Sequence, residues 1–206
     1  MDSGRLEAFS DGVIAILITI MVLELKVPHG TEWSALRPML PTLLVYVLSF
    51  INVGIYWNNH HHMFFATKEV DGTVLWANLH LLFWLSLFPI ATAWMGENHF
   101  APLPTAAYGG VLLAAAIAYW ILQRALIARR EANATLERAI GRDFKGKVSP
   151  LLYAIAIPLA FVNQWIADAI YVLVAAMWLV PDKRIEQRVT RPGRAPANER
   201  QSRESP

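Results

Sequence analysis

The feature that most constrains this chain is a series of long apolar runs that contain almost no charged residues. Apolar runs of about 18 or more residues are typical of membrane-spanning helices, because lipid offers no partner for unpaired backbone N–H and C=O groups. Four such runs cover residues 6–25, 38–58, 74–94 and 105–128, and a fifth apolar region covers residues 151–180. The sequence therefore predicts an all-α membrane protein.

The last apolar region can be interpreted as one helix or as two. As one helix, its 30 residues would measure roughly 45 Å at about 1.5 Å per residue, which exceeds a hydrocarbon core of about 30 Å. Asn163 and Gln164 form a polar break inside it. We therefore predict two short helices, at residues 149–162 and 165–180, and six transmembrane helices in all.

Six spans also explain the distribution of positive charge. With a cytoplasmic N-terminus, only Lys26 and Arg37 of the 18 lysines and arginines would lie on the outer side, which agrees with the positive-inside rule. A five-span chain would export the basic C-terminal tail. We expect a multi-pass cell-membrane protein, in contact with membrane lipid, with both termini in the cytoplasm. Residues 1–184 would form the membrane domain, 129–147 a charged surface stretch within it, and 185–206 a disordered basic tail.

Several classes of function lack support in the sequence. The chain has no cysteine, so it can form neither a disulfide nor a Cys-ligated metal site. No Walker-type loop or G-x-G-x-x-G motif is present, and no Ser/His/Asp set lies at membrane depth. The consecutive histidines 60–62 would point about 100° apart around a helix, without companions at ligand spacing. We expect no enzyme activity, metal, cofactor or nucleic-acid partner.

The first helix carries the most unusual side chains. Its apolar stretch after Asp11 covers only about 18 Å at about 1.5 Å per residue. Ser10 and Asp11 must therefore reach the inner edge of the hydrocarbon core, where an ionisable group indicates function. Ile16, Ile20 and Leu23 lie at i, i+4 and i+7 and share one stripe. Such a stripe could line a pore with hydrophobic constrictions, or it could be an ordinary lipid face above an N-cap.

Motifs along the chain indicate a known family. The sequence R-L-E-A-F-S-D near the N-terminus resembles the R-x-x-x-F-S-D signature of the transmembrane protein 175 family, which includes lysosomal and prokaryotic potassium channels. Trp57 and His60 resemble its W-x-x-H motif at the end of the second helix. Asn78 and Pro89 are similar to its third-helix landmarks. The resemblance extends in order over residues 5–184.

This resemblance implies an assembly and a function. Prokaryotic members of the family have six helices per subunit and form tetramers in which four copies of the first helix line the pore. Because this chain has a single R-x-x-x-F-S-D motif, the resemblance implies a homotetramer that passes potassium ions, with weak selectivity over sodium. The alternative is a secondary transporter or a proton-permeable leak, although the spans lack a chain of acidic residues near mid-membrane.

The resemblance also implies roles for individual residues. Ile16 matches the narrow hydrophobic constriction, with Ile20 and Leu23 further along the same stripe. Thr19 matches a hydroxyl position associated with selectivity. The signature residues would be tied by hydrogen bonds to the second-helix His and the third-helix Asn. This polar cluster would hold the first helix at the cytoplasmic side, so that Asp11→Ala should damage assembly more than ion preference. Its expected members are Arg5, Phe9, Ser10, Asp11, His60 and Asn78.

Two further patterns concern packing and the outer mouth. Glu24 follows the stripe and is either a cation-concentrating position or an interfacial residue paired with Lys26. Small residues recur every four positions on the fourth helix and predict a close helix contact. These residues are Ala106, Gly110, Ala114 and Ala118.

Overall fold

Helices account for nearly all of the described chain. A computed structural model describes residues 3–65, 67, 70–128 and 144–179. A 3-10 helix, Trp33–Met39, leads directly into the second α-helix. The α-helices, in chain order, are α1 Ser3–Leu23, α2 Leu40–Phe65, α3 Gly72–Leu85, α4 Phe88–Glu97, α5 Pro102–Ile127, α6 Phe144–Val162 and α7 Gln164–Leu179.

These helices form the six predicted transmembrane segments. Five segments are long and apolar enough to cross a membrane: α1, the 3-10 helix with α2, α3 with α4, α5, and α6. The sixth, α7, is a shorter apolar helix of 16 residues, which rises about 24 Å at about 1.5 Å per residue. The prediction of an all-α membrane protein with six helical spans is confirmed. The predicted tail, 185–206, and most of the predicted surface stretch, 129–143, lie outside the described residues.

The third span is divided into α3 and α4 because of Pro89. Proline has no backbone N–H, and its ring collides with the carbonyl four residues earlier, which here belongs to Leu85. α3 accordingly ends at Leu85. The Ser86 hydroxyl donates to the Phe83 carbonyl oxygen at 2.7 Å, and α4 begins at Phe88. The helix of this span is therefore interrupted at a position set by the sequence.

Asn163 separates α6 from α7, as its polarity predicts. Its side-chain oxygen accepts a hydrogen bond from the Trp165 N–H at 3.0 Å, as an N-cap residue does. Asp168 lies one turn further along α7. Both of its carboxylate oxygens are buried without a hydrogen-bond partner among the described residues. α6 begins at Phe144 rather than at residue 149, so the end of the predicted surface stretch is helical.

Buried hydrogen bonds join the helices in the middle of the bundle. Ser49 Oγ lies 2.7 Å from Thr92 Oγ1 and 3.0 Å from Tyr108 Oη. The Tyr171 hydroxyl donates to the Thr105 carbonyl oxygen at 3.2 Å. All five residues are buried, where an unpaired polar group would cost about 1–3 kcal/mol. These bonds fix α2, α4, α5 and α7 relative to one another.

An ion pair ties the loop after α1 to the end of α4. Lys26 Nζ lies 2.6 Å from Glu97 Oε1, so its hydrogen-bonded partner is Glu97 and not Glu24, for which a pair with Lys26 was one of the two alternatives. The hydrogen bond and the negative charge of Glu97 raise the pKa of Lys26. Because the Lys26 side chain is 82% exposed, the pair directs the loop more than it stabilises the fold.

The close contact on α5 is made by Gly109 rather than by the predicted Gly110. A Cβ atom on Gly109 would lie 2.0 Å from Tyr171 Oη and 2.8 Å from Tyr171 Cζ. A Cβ atom on Gly110 would meet nothing within 4 Å. The predicted four-residue spacing therefore identified the correct helix but the wrong glycine.

This difference predicts opposite effects for two neighbouring substitutions. Gly109→Ala should destabilise the protein by about 1–3 kcal/mol, because the buried Tyr171 ring would have to move and lose its bond to Thr105. Gly110→Ala, the matched control, should be neutral or stabilising by up to about 1 kcal/mol, because alanine is the better helix former. Thermal unfolding of both detergent-solubilised variants would test this. Equal destabilisation by both substitutions would contradict the packing described for α5.

Candidate functional site

α1 has one buried and one exposed face. The buried face packs against α2, α3 and α4 and consists of Leu6, Ser10, Ile14, Leu17 and Met21. All four residues of the predicted pore lie on the exposed side. Ile16 is 58% exposed, Ile20 39% and Leu23 80%, and Thr19 is also exposed. A contiguous aliphatic stripe of α1 is thus left uncovered by the chain's own helices.

Hydrophobicity does not explain which face of α1 is buried. From Gly12 to Leu23 the helix is apolar on almost every side, so burial of either face would remove similar apolar area from lipid or water. A polar contact can decide the rotation, because an unpaired polar group inside the bundle is costly. Ser10 is the buried polar residue of this helix.

Ser10 belongs to a chain of three buried polar side chains on three helices. The Asn78 Nδ2 group on α3 donates to Ser10 Oγ at 2.9 Å. Asn78 Oδ1 lies 2.8 Å from His60 Nε2 on α2. Ser10 in turn donates to the Leu6 carbonyl oxygen at 2.9 Å. All three side chains are fully buried. We call Ser10, Asn78 and His60 the polar anchor of α1.

The anchor also determines the tautomer of His60. An amide oxygen can only accept a hydrogen bond, so His60 Nε2 must carry the proton that Asn78 Oδ1 accepts. His60 Nδ1 is buried and has no hydrogen-bond partner among the described residues. The ring packs against Phe64 with centroids 4.5 Å apart. His60 therefore acts as a donor that orients Asn78 towards α1.

The remaining members of the predicted cluster lie outside the anchor. Asp11 Oδ1 accepts a hydrogen bond from Trp57 Nε1 at 3.0 Å, at an exposed position. At about 100° per residue, Asp11 points towards α2 rather than α3, so its partner differs from the expected His and Asn. Phe9 is 53% exposed. Arg5 is exposed, and no side-chain hydrogen bond or ion pair joins it to another described residue.

A second contact between α1 and α2 was not predicted. His61 Nδ1 lies 2.7 Å from Glu7 Oε1, one helical turn away from the contact of Asp11 with Trp57. The available signal was the i, i+4 spacing of the two acids on α1 and of Trp57 and His61 on α2. This spacing indicates a contact only when α1 and α2 are known to pack side by side.

The neighbouring histidines have separate partners. His60 contacts Asn78 and His61 contacts Glu7, while His62 is exposed. Within the described ranges, no three His, Asp or Glu side chains lie where they could hold a metal ion. The contacts of these residues are those of helix packing.

The geometry predicts that Asn78 matters more to stability than Asp11. Asn78→Ala leaves the buried His60 Nε2–H without its acceptor, which costs about 1–3 kcal/mol. It also removes the bond to Ser10, whose hydroxyl still donates to the Leu6 carbonyl oxygen. Asp11→Ala removes one exposed hydrogen bond, worth about 1 kcal/mol. Thermal unfolding and size-exclusion profiles of the two variants would compare them. A larger loss from Asp11→Ala would instead support the cluster expected from the sequence.

Comparisons with known proteins match the part of the chain that contains the polar anchor. A family model described as "Endosomal/lysosomal potassium channel TMEM175" matches residues 5–89, which include the whole polar anchor. The chain is 57% identical over 187 residues to a potassium channel of Chryseobacterium sp. (strain P1-3), covering 91% of this chain and 97% of the relative. It is 35% identical to a potassium channel of Streptomyces collinus (strain DSM 40733 / Tue 365), with 84% and 90% covered.

A solved structure has the same fold. The crystal structure of a lysosomal potassium-selective channel TMEM175 homolog from Chamaesiphon minutus superposes with a TM-score of 0.73 and 31% identity. The superposition covers 86% of this chain and 96% of that chain. The resemblance of the N-terminal motif is confirmed by both kinds of comparison: the chain belongs to the TMEM175 family.

Proposed function

We propose that this chain is one subunit of a homotetrameric potassium channel in the cell membrane, with four copies of α1 around a central pore. The observation that carries the proposal is the exposed aliphatic stripe of Ile16, Ile20 and Leu23 on a helix whose opposite side is held by the polar anchor. Relatives that match over nearly their whole length are potassium channels. The proposed conduction is passive and uses no nucleotide.

A symmetric ring of chains accounts for the stripe better than lipid contact alone. Asp11 is partly exposed at the inner end of α1, and an ionisable side chain there is costly in contact with lipid. Closed rings are the usual symmetry of such assemblies. With one α1 per chain and a tetramer implied by the family resemblance, four stripes would face one axis.

The proposed pore would discriminate between cations weakly. Aliphatic side chains at Ile16 cannot replace the water around an ion, so selectivity must come from the cost of squeezing or partly stripping hydration. Thr19 offers an oxygen beside the stripe. Its hydroxyl donates to the Ile16 carbonyl oxygen at 2.7 Å, which leaves the hydroxyl lone pairs free to face a passing cation. Potassium would be preferred over sodium, but less strictly than in a filter whose backbone carbonyl oxygens replace the water around the ion.

The charges support the proposed topology, with both termini in the cytoplasm. Arg124, near the end of α5, lies 5.1 Å from the Trp120 ring centroid, and Lys145, near the start of α6, lies 6.0 Å from that of Trp178. Basic and tryptophan side chains of this kind anchor helices at the cytoplasmic interface. On the opposite side, Lys26 is paired with Glu97.

A proton-permeable leak is the second candidate, and Asp168 is the observation that favours it. A buried carboxyl group without a partner among the described residues is the kind of group that intramembrane proton paths use. Asp168 lies on α7, which packs mainly against α2, α5 and α6. A proton path through it would therefore be separate from the pore.

The proposal predicts that Ile16→Asn reduces the preference for potassium. The purified protein would be reconstituted in liposomes, and flux driven by a potassium gradient would be compared with flux driven by a sodium gradient. Wild-type flux should be larger for potassium. The introduced amide should stabilise hydrated ions in the constriction and raise sodium flux about tenfold or more, as expected when about 1.4 kcal/mol of barrier is removed.

A matched control places the same change on the outside of the bundle. Ile155 is 45% exposed and lies on α6, which packs against α5 and α7. Ile155→Asn should leave the ratio of potassium to sodium flux unchanged. Equal effects of the two substitutions, or a verified tetramer that passes no ion under any gradient, would contradict the pore assignment. Flux that requires a proton gradient and disappears in Asp168→Asn would favour the second candidate.

A further inference from the structure

The inner end of α1 is joined to α2 by two side-chain contacts that lie one helical turn apart. Glu7 Oε1 lies 2.7 Å from His61 Nδ1, and Asp11 Oδ1 accepts a hydrogen bond from Trp57 Nε1 at 3.0 Å. Glu7 and Asp11 are four positions apart on α1, and Trp57 and His61 are four positions apart on α2. The contacts therefore form two parallel rungs between antiparallel helices.

The two rungs are also connected to each other on the α2 side. The rings of Trp57 and His61 are stacked, with centroids 6.2 Å apart and planes inclined by 23°. The side chain of Glu7 is 22% exposed and that of His61 is 44% exposed. The pair is therefore partly shielded from water and still within reach of protons from the aqueous side.

The position of this pair around α1 relates it to the proposed pore. Glu7 and Ile16 are nine residues apart, which at about 100° per residue places them on opposite sides of the helix. A bond from Glu7 to α2 therefore pulls the inner end of α1 away from the side that carries Ile16. A tighter bond would retract the wall of the pore, and a looser one would let it move inwards.

The strength of the bond depends on the charge of His61. A neutral imidazole with its proton on Nδ1 gives the Glu7 carboxylate one hydrogen bond. An imidazolium gives it a hydrogen bond and an opposite charge, and it also stacks as a cation on the Trp57 ring. The titratable groups beside it are Glu7 on α1 and His60 and His62 on its own helix, and Asp11 bonds the Trp57 ring that stacks on it. Its nearest carboxylate is Glu7.

We propose that Glu7 and His61 are positioning residues that hold the inner end of the pore helix against α2, and that this hold tightens as the cytoplasmic pH falls. The part concerning ion flux depends on the proposed function; the pairing itself does not. The pair adds to the polar anchor, since it uses different residues.

The test compares potassium flux at about pH 5.5 and about pH 8, on either side of the usual histidine titration. Both faces of the liposome would be held at the same pH. Wild-type flux should be about threefold larger at the lower pH, a modest change because the pair is partly exposed to water. Glu7→Gln and His61→Gln should each flatten the profile, and the double variant should add nothing further. His62→Asn, the matched control on the next residue, should keep the wild-type profile.

Two flux results would overturn the proposal. In one, Glu7→Gln keeps the pH dependence that His61→Gln loses, which would mean that His61 acts without Glu7. In the other, all variants show the wild-type profile. Each variant would first be confirmed as an assembled protein by size-exclusion chromatography.

A stability measurement separates this proposal from the channel assignment. A histidine beside a carboxylate forms an ion pair only in its protonated form, which low pH favours. The melting temperatures of the wild type, the two single variants and the double variant should therefore be non-additive at about pH 5.5 and nearly additive at about pH 8. Additive melting temperatures at both pH values would overturn the pairing, whereas absence of flux with this pattern intact would overturn only the channel function.

Discussion

The hydrogen bonds that join Asn78 to Ser10 and to His60 set the rotation of α1, and the candidate site depends on that rotation. α1 is apolar on most sides, so packing alone distinguishes its faces poorly. Burying Ser10 against Asn78 turns Ile14, Leu17 and the other inner residues towards the bundle. The same rotation leaves the aliphatic stripe uncovered. A polar group deep in the bundle therefore decides which apolar side chains are available to face other chains.

Much of the fold could be predicted because apolar length and charge are local properties of the sequence. The helical spans and the break at Asn163 follow from short-range patterns. Other features depend on residues distant in sequence. Gly109 rather than Gly110 is the close contact because Tyr171, on another helix, lies beside it. No spacing on α5 contains that information.

The sequence also predicted some, but not all, of the contacts in the candidate site. The family signature named Ser10, His60 and Asn78, and the structure joins them in one buried chain. It also named Asp11, whose partner proves to be Trp57, because residues adjacent on a helix point about 100° apart. The pair of Glu7 and His61 was missed, since its i, i+4 spacing becomes meaningful only when α1 and α2 are placed side by side. Side-chain direction, not residue identity, was the missing information.

The central claim, that the exposed stripe of α1 lines the pore, can be tested most directly by introducing single cysteines. The chain has no cysteine of its own, so each substitution provides one unique thiol. Potassium flux would be measured in liposomes before and after a charged thiol reagent is added. Cysteine at Ile16 or Ile20 should be modified and flux should fall, whereas cysteine at the buried Ile14 or at Ile155 on α6 should have no effect. Block at residue 155, or full flux after verified modification at residue 16, would contradict the account.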